Sequence, residues 1–401
     1  MEIEEAIKRI TDEAPQIKEE EKVSIEDALG RIASRDIISA GAVPSFPRSA
    51  MDGYAVFSED VKNASKEAPI LLKVKEEIDA GDFSRSSYSP KTAIRVMTGA
   101  MIPEGYDAVV KQEDTDYGED NVSIYSPVKS HGNYCPVGEE IKAGETVIPA
   151  GSRIGRTETG LLVSAGFFKV PVRRSAKIAI ISTGSELADE GEELRGGLIY
   201  NSIRYMLGAS VKHEGLKIAL SKTVPDDGDV IKETIEEAAE VSDVILTTGG
   251  VSVGIKDLIP GVLNKLGAGT IFRGVNIQPG TPTMGSIYKD KVILSLSGNP
   301  FAALACFDLY FWPVISKIMG NKSYTPEVYD AELTQDYARV NRMRRLVRAK
   351  EDKGRVYLPV SEHMSSVFGN TSSCNCYIDV PAGRSLSAGE TVTVRKMKES
   401  F

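Results

Sequence analysis

The sequence predicts an α/β chain with added β domains: a doubly wound parallel-sheet domain, a helical linker region, a β-rich lobe and a small all-β C-terminal domain. Three observations lead there. KIAIIST (177–183), DVILTT (243–248) and KVILSLS (291–297) are continuous apolar runs without alternation, the pattern of strands covered on both faces. Helical patterns such as VIKETIEEAAEV (230–241) separate them, and strand alternating with helix implies a parallel, doubly wound sheet over about residues 173–322. Short β-rich runs between turn residues occupy the flanks on both sides.

In chain order, Ile3, Ala6, Ile7 and Ile10 recur at helical spacing, and Ser24 with Asp27 forms a capping-box pattern before Ala28 and Leu29, so two short helices are expected. From Ile70 to Tyr125 the runs ILLKV, AIRVM, DAVVK and NVSIY, broken by Gly, Pro, Asp and Asn, read as a separate all-β lobe. GETVIPAGSRIG (144–155) carries turn signals and leads into a helical stretch around Glu158 to Ala165. PFAALACFDLYFW (300–312) reads as a buried helix, and after Pro326 the segments RLVRA, RVYLPV, YIDV and TVTVR return to short strands.

Composition bounds the function. A length of 401 residues allows two to four domains, with 41% apolar and 26% charged residues, and no stretch is expected to approach the continuous apolar length of a membrane span. The balance of 48 Lys and Arg against 57 Asp and Glu, net −9, argues against a protein that grips nucleic acid or anionic lipid; a small anionic substrate remains open. MEIEEAIKRI has neither a basic nor an apolar export region, so a cytoplasmic protein is expected. Cys135, Cys306, Cys374 and Cys376 are too few and too scattered for a disulfide framework. Cys374 and Cys376 form C-x-C with His131, His213 and His363 far away, which favours incidental thiols over zinc.

All three strand candidates of the α/β region end in unusual loops: Thr-Gly-Ser-Glu (183–186), Thr-Gly-Gly-Val-Ser-Val-Gly (248–254) and Ser-Gly-Asn-Pro (297–300). Ligands of open α/β sheets bind beyond the carboxyl ends of the strands, where glycine lets backbone N–H groups approach a phosphate and a helix start adds a favourable dipole. Strand-to-helix turns need Gly in any case, but three such loops in one domain point to a site. The second is no Walker motif, because Lys256 stands one place late and Asp257 follows it. Glu186 and Asp257 form a reasonable Mg²⁺ pair beside a phosphate, with Ser252 as a hydroxyl; both acids could equally stabilise helix dipoles.

PSFPRSAMDGYAV (44–56), with Asp52 among two prolines and a glycine, reads as a rigid functional loop or an ordinary turn, and Thr98-Gly99 ends another strand with a hydroxyl beside accessible backbone. These lobes are candidates for the other wall of a cleft. ARVNRMRRLVRAK places six basic residues between Arg339 and Lys350, either to meet an anion or an acidic partner or to defend a solvated strand edge.

Taken together, SAMDGYAV, MTGAMIPEGYDAVV, STGSEL, TTGGVSVGIKD, IQPGTPT and LSGNP, in this order, resemble the molybdopterin molybdenumtransferase (MoeA) family and the similar C-terminal domain of gephyrin, over essentially the whole chain. The resemblance implies a MoaB/MogA-like α/β domain and a small β-barrel. It divides the chain into an elongated helical linker domain (1–45 plus 141–172), a β-rich lobe (46–140), the α/β molybdopterin-binding domain (173–322) and the C-terminal domain (323–401). It also implies a homodimer with each site shared between subunits. The reaction it implies is Mg²⁺-assisted insertion of molybdate, or tungstate, into adenylylated molybdopterin with release of AMP.

By motif position the resemblance implies catalytic roles for Asp52, Glu186, Ser252 and Asp257, with Glu186 and Asp257 on the metal. It implies substrate contacts from Thr98, Gly99, Asp226 or Asp227, Gly249, Gly250, Gly298, Asn299 and Pro300. Gln278 and Thr281 stand where the family commonly has lysines, and Arg273 and Arg348 are candidates to compensate. A nucleotide pyrophosphate hydrolase of related fold and a gephyrin-like binding protein are the alternative readings.

Overall fold

Successive residues of the three apolar runs point to opposite faces of one sheet, which is why no polar alternation marks them. Ile178, Ile180, Val244, Leu246, Val292 and Leu294 are buried on the face covered by the helices Ser202–His213 and Pro300–Met319. Ala179, Ile181, Ile245 and Ile293 are buried on the other, against the helices Gly228–Val241 and Ile259–Lys265. The computed structural model describes residues 1–251, 258–359 and 368–398. In it the strand order is Lys217–Val224, Lys177–Thr183, Val244–Thr248, Lys291–Leu296, Met284–Tyr288, Gly269–Arg273.

The first four strands are parallel, as expected, while the last two join antiparallel. That mixed edge has a local cause. Lys289 and Asp290, between Met284–Tyr288 and Lys291–Leu296, both take positive φ (47° and 60°), the backbone of a two-residue hairpin turn, and a hairpin pairs antiparallel.

The helix Ile3–Glu13, expected with residues 1–45, buries Ile3, Ala6 and Ile10 in the α/β core beside Ile315 and Ile318 instead. The second expected helix is not formed. Glu20–Ser24 is a strand paired antiparallel with Lys169–Arg173, followed by one 3-10 turn, Glu26–Ala28. The Ser24 hydroxyl does accept from the Asp27 N–H (3.2 Å), but Gly30, at φ +77°, turns the chain away. The helix Arg156–Ser164 forms as expected. The β-rich lobe is a five-stranded sheet in the order Ala108–Lys111, Gly53–Val56, Thr92–Val96, Ile70–Ile78, Asn121–Ile124.

Contrary to the expectation that no stretch approaches a membrane span, Pro300–Met319 is 20 residues long with a hydropathy of 1.4, enough by length and composition to cross one. Its best window is 72% buried within the protein, so here the apolar length serves a core. A π-helical stretch, Phe307–Phe311, interrupts it and carries the buried Asp308. The Trp312 ring N–H donates to Asp308 Oδ1 (3.0 Å) and the Tyr377 hydroxyl to Oδ2 (2.7 Å), tying the core helix to the C-terminal domain.

That domain is a barrel of Val328–Leu333, Arg344–Asp352, Arg355–Tyr357, Cys376–Val380 and Thr391–Lys396, closed by pairing of Arg344–Asp352 with Cys376–Val380. The basic cluster runs along its longest strand, and neither sequence reading of it holds in full. Arg339, Arg342 and Lys350 stay exposed, but Arg345 and Arg348 are buried and Arg344 bridges Glu4 (2.8 Å) and Asp379 (2.5 Å). The Arg344 hydrogen bonds hold the Glu4 carboxyl down at about 2 from the usual 4.5. A depressed carboxyl contributes stability above its unfolded pKa, and this contribution is lost as pH falls through the folded value. All four cysteines are free and buried, and burial pushes the Cys306 and Cys376 thiols up to about 12.

Tyr377→Phe removes a donor to the buried Asp308 carboxylate and should cost about 1–3 kcal/mol. Thermal unfolding measures it; an unchanged midpoint would show that the Tyr377–Asp308 tie contributes nothing.

Candidate active site

The carboxyl ends of Lys177–Thr183, Val244–Thr248 and Lys291–Leu296 lie side by side in the sheet, and their loops interlock main chain against main chain. Gly249 and Gly250 take φ of +87° and +59°, and a Cβ on Gly249 would lie 2.4 Å from the Thr183 carbonyl oxygen. A Cβ on Gly298 would lie 3.3 Å from Gly249 Cα. The glycines are therefore required by close packing as well as by backbone conformation. Gly249 also donates its N–H to the Leu296 carbonyl (3.1 Å), so it shapes the site without offering that donor to a ligand.

A cleft of about 330 Å³ lies above these loops, lined by Thr183, Gly184, Glu186, Asp226, Thr248, Gly249, Gly250, Ser297, Gly298 and Pro300 among others. Pro300 opens the core helix, whose amino end therefore faces the cleft, and Ser202 brings a second helix start there. Two helix amino ends at one cleft favour an anionic group between them. Asn299 precedes Pro300 and donates its N–H to Ser297 Oγ (3.2 Å), so the loop is closed on itself before the helix starts.

The two adjacent aspartates separate clearly. Asp227 caps the helix Gly228–Val241, its Oδ1 accepting from the N–H groups of Asp229 (2.9 Å) and Val230 (3.1 Å). Asp226 lines the cleft and exchanges hydrogen bonds with Ser185, its Oδ2 accepting from Ser185 N–H and its own N–H donating to Ser185 Oγ, both 3.3 Å. Of the pair, Asp226 is the one available to a ligand. Glu186 folds back over Gly184, where a Cβ would meet its Oε1 at 2.8 Å. Ser252 and Asp257 lie outside the described residues.

Among the described residues no group of three or more His, Cys, Asp or Glu is placed to hold a metal. Glu186 and Asp226 are two hard carboxylates lining one cleft, which suits a cation that completes its shell with water and phosphate oxygens, as Mg²⁺ does.

Two candidates lie away from this cleft. Arg348 is 0% exposed, its guanidinium 4.1 Å above the Phe301 ring and donating to Thr371 Oγ1 (3.2 Å), so it stiffens the joint between the core helix and the barrel. Arg273 is exposed at the end of the antiparallel edge strand and is not part of the cleft lining. Sequence reasoning missed Tyr200, Asn201 and Ser202. Asn201 is buried, accepts from Arg204 N–H (3.2 Å) and donates to Thr223 Oγ1 (2.9 Å); an Asn ahead of the helical run SIRYML was the available signal.

Asp52, Thr98 and Gly99 form a second constellation on the β-rich lobe, outside this cleft. Asp52 Oδ1 accepts from both the Thr98 hydroxyl and the Thr98 N–H, each at 2.7 Å, and these bonds lower the Asp52 pKa below 3.8. Gly99, at φ +85°, donates its N–H to the Ser49 carbonyl (2.8 Å). A Cβ on Gly53 would lie 2.0 Å from the Val110 carbonyl oxygen, so the glycine of the Met-Asp-Gly-Tyr segment is fixed by strand pairing.

Residues 1–166 match the MoeA N-terminal region (domain I and II), residues 179–317 the probable molybdopterin binding domain, and residues 330–397 the MoeA C-terminal region (domain IV). The chain is 36% identical over 396 residues to a molybdopterin molybdenumtransferase of Staphylococcus epidermidis, covering 98% of this chain and 94% of the relative. It is 34% identical over 399 residues to that of Staphylococcus aureus, with the same coverage. The crystal structure of the molybdopterin biosynthesis moeA protein from Pyrococcus horikoshii OT3 superposes with a TM-score of 0.84 at 30% identity, covering 99% of both chains.

Thr98→Val removes the hydroxyl donor, so the Asp52 pKa should rise toward 3.8, followed by NMR titration of the carboxyl carbon. Since the native group is the depressed one, its stabilising contribution is present above the unfolded pKa and lost as pH falls through the folded value. An unmoved Asp52 titration would reject the Thr98 bond as the cause.

Proposed function

From the premise that the chain belongs to the molybdopterin molybdenumtransferase (MoeA) family, we propose that its cleft binds adenylylated molybdopterin, with the phosphoanhydride between the amino ends of the helices Ser202–His213 and Pro300–Met319. The chain is a molybdopterin molybdenumtransferase of molybdenum cofactor biosynthesis. The observation that carries the finer reading is that Glu186 and Asp226 line the same cleft as the interlocked glycine loops.

In this reading the helix ends and the fixed loop backbone stabilise negative charge on the phosphates without reorganising. Glu186 and Asp226, with Asp257, the residue the sequence paired with Glu186, would hold Mg²⁺, which when bound offsets charge developing on the phosphate oxygens as AMP departs. Molybdate, or tungstate, enters as the second substrate and is taken by the dithiolene. Asp52, whose carboxylate form the Thr98 bonds favour further, acts as an acceptor that orients substrate or water rather than as a proton donor. Because Asp52 lies outside the cleft of its own chain, a second copy would supply it, making the site a property of a homodimer. Four free, buried thiols support a reducing, cytoplasmic setting.

Incubation with adenylylated molybdopterin, an oxyanion and Mg²⁺, following AMP, tests the reading. AMP release should require the oxyanion and stop on chelation. Glu186→Gln or Asp226→Asn should slow it about 100-fold, the scale of losing one preorganised electrostatic group. Release without oxyanion would point to pyrophosphate hydrolysis instead, and full activity in both variants would remove the carboxylates from the site.

A further inference from the structure

The loop 274–283 joins the edge strand Gly269–Arg273 to Met284–Tyr288, and its Pro282 forms part of the cleft wall. Much of it is closed on itself. Val275 N–H donates to the Thr281 carbonyl (2.9 Å), Gly274 N–H to the Thr283 carbonyl (3.0 Å) and the Thr281 hydroxyl to the Ile277 carbonyl (2.6 Å). Its floor is Cys306, whose sulfur would lie 2.0 Å from any Cβ at Gly280 and which accepts from Thr283 Oγ1 (3.1 Å).

The outer edge of the loop is gripped by a distant part of the chain. Asn276 N–H donates to the Met1 carbonyl (2.8 Å) and Asn276 Nδ2 to Glu2 Oε1 (2.7 Å). The next residues, Ile277 and Gln278, pair parallel with Arg344 and Arg345 of the barrel. Arg344 is itself held by a two-pronged bond to Glu4, Nη1 to Oε2 at 2.9 Å and Nη2 to Oε1 at 2.8 Å, while Nε donates to Asp379 (2.7 Å). Arg395 donates to the same Glu4 oxygen (3.1 Å). Residues 1–4 therefore hold the loop directly at 276 and, through Arg344, the strand that 277–278 joins. The helix that follows is anchored by Ile3, Ala6 and Ile10 in the core, so this grip has a rigid base.

We propose that residues 1–4 are a positioning element of the transferase site: they fix the loop 274–283 so that Pro282 completes the substrate cleft. The proposal rests on the cleft being the adenylylated-molybdopterin site. Neither Glu2 nor Asn276 touches the cleft, so their effect is on how well the wall is formed before substrate arrives. A loosened wall must be ordered on binding, which raises KM while leaving the chemical step unchanged.

Asn276→Asp tests this in the full-length chain, because it sets one carboxylate against another where a donor met an acceptor. Amide exchange over 274–283 should accelerate, and KM for adenylylated molybdopterin should rise about five-fold, the scale of one lost hydrogen bond, with kcat unchanged. Adding Glu2→Gln to Asn276→Asp restores a donor and an acceptor in reversed order, and should return both exchange and KM to wild-type values. Faster exchange with unchanged KM, unchanged exchange in the folded variant, or failure of the double variant to recover would each overturn the positioning role. Gly298→Val, which narrows the cleft at a different loop, separates the two readings: full activity there would overturn the cleft assignment itself, whereas inactivity there with unchanged KM in Asn276→Asp overturns positioning alone.

Discussion

The close approach of three backbones at Thr183, Gly249 and Gly298 is the constraint on which the rest of the site depends. Nothing larger than a glycine hydrogen fits between the Thr183 carbonyl oxygen and residue 249, so these loops have very little room to move independently. Two groups that line the cleft are carried within a few residues of the locked points. Glu186 follows Thr183 by three positions, and Pro300 follows Gly298 by two. A site built this way holds its dipoles in place before a charged substrate arrives, which is the condition under which fixed donors and helix ends act most strongly on a developing charge.

Much of this was legible in the sequence because burial on both faces leaves an unmistakable trace. Ile178 and Ala179 serve opposite layers, so both must be apolar, and the same holds for Leu246 and Ile245. The glycine loops were legible for a related reason, since close packing restricts the residue type. What was not legible depended on competition between equivalent groups. Asp226 and Asp227 are chemically identical until the helix Gly228–Val241 captures one as its cap. Tyr200, Asn201 and Ser202 are separated in sequence from Glu186 by an excursion, which the pairing of Leu187–Ala188 with Ile199–Tyr200 and the Asn201 bond to Thr223 close. Arg348 read as an available cation because its neighbours in sequence are basic; its position above the Phe301 ring is a fact of packing between two domains.

The charge distribution follows the same division. The net charge of −9 describes the chain as a whole, but several arginines are drawn into ties between distant segments: Arg344 and Arg395 on Glu4 and Asp379, Arg174 on Glu19 and Asp243, and Arg153 on Glu214. Their planar, multi-donor heads suit bridging several acceptors at once. The cleft, by contrast, is lined by helix ends, loop backbone and carboxylates, a donor set of the kind that suits a hard cation.

The burial of the first helix in the α/β core also sets an order of events during synthesis. Residues 3–10 are made long before much of the core they complete, which includes Trp312, Ile315 and Ile318, more than 300 residues later. The intervening β-rich lobe has its own separate core and is complete well before then. The part of the helix face that packs on Ile315 and Ile318 therefore stays uncovered until those residues are made, a long-range closure of the kind that slows folding and exposes the nascent chain to association. The loop that this helix end grips is consequently among the last parts of the molecule to reach its final form.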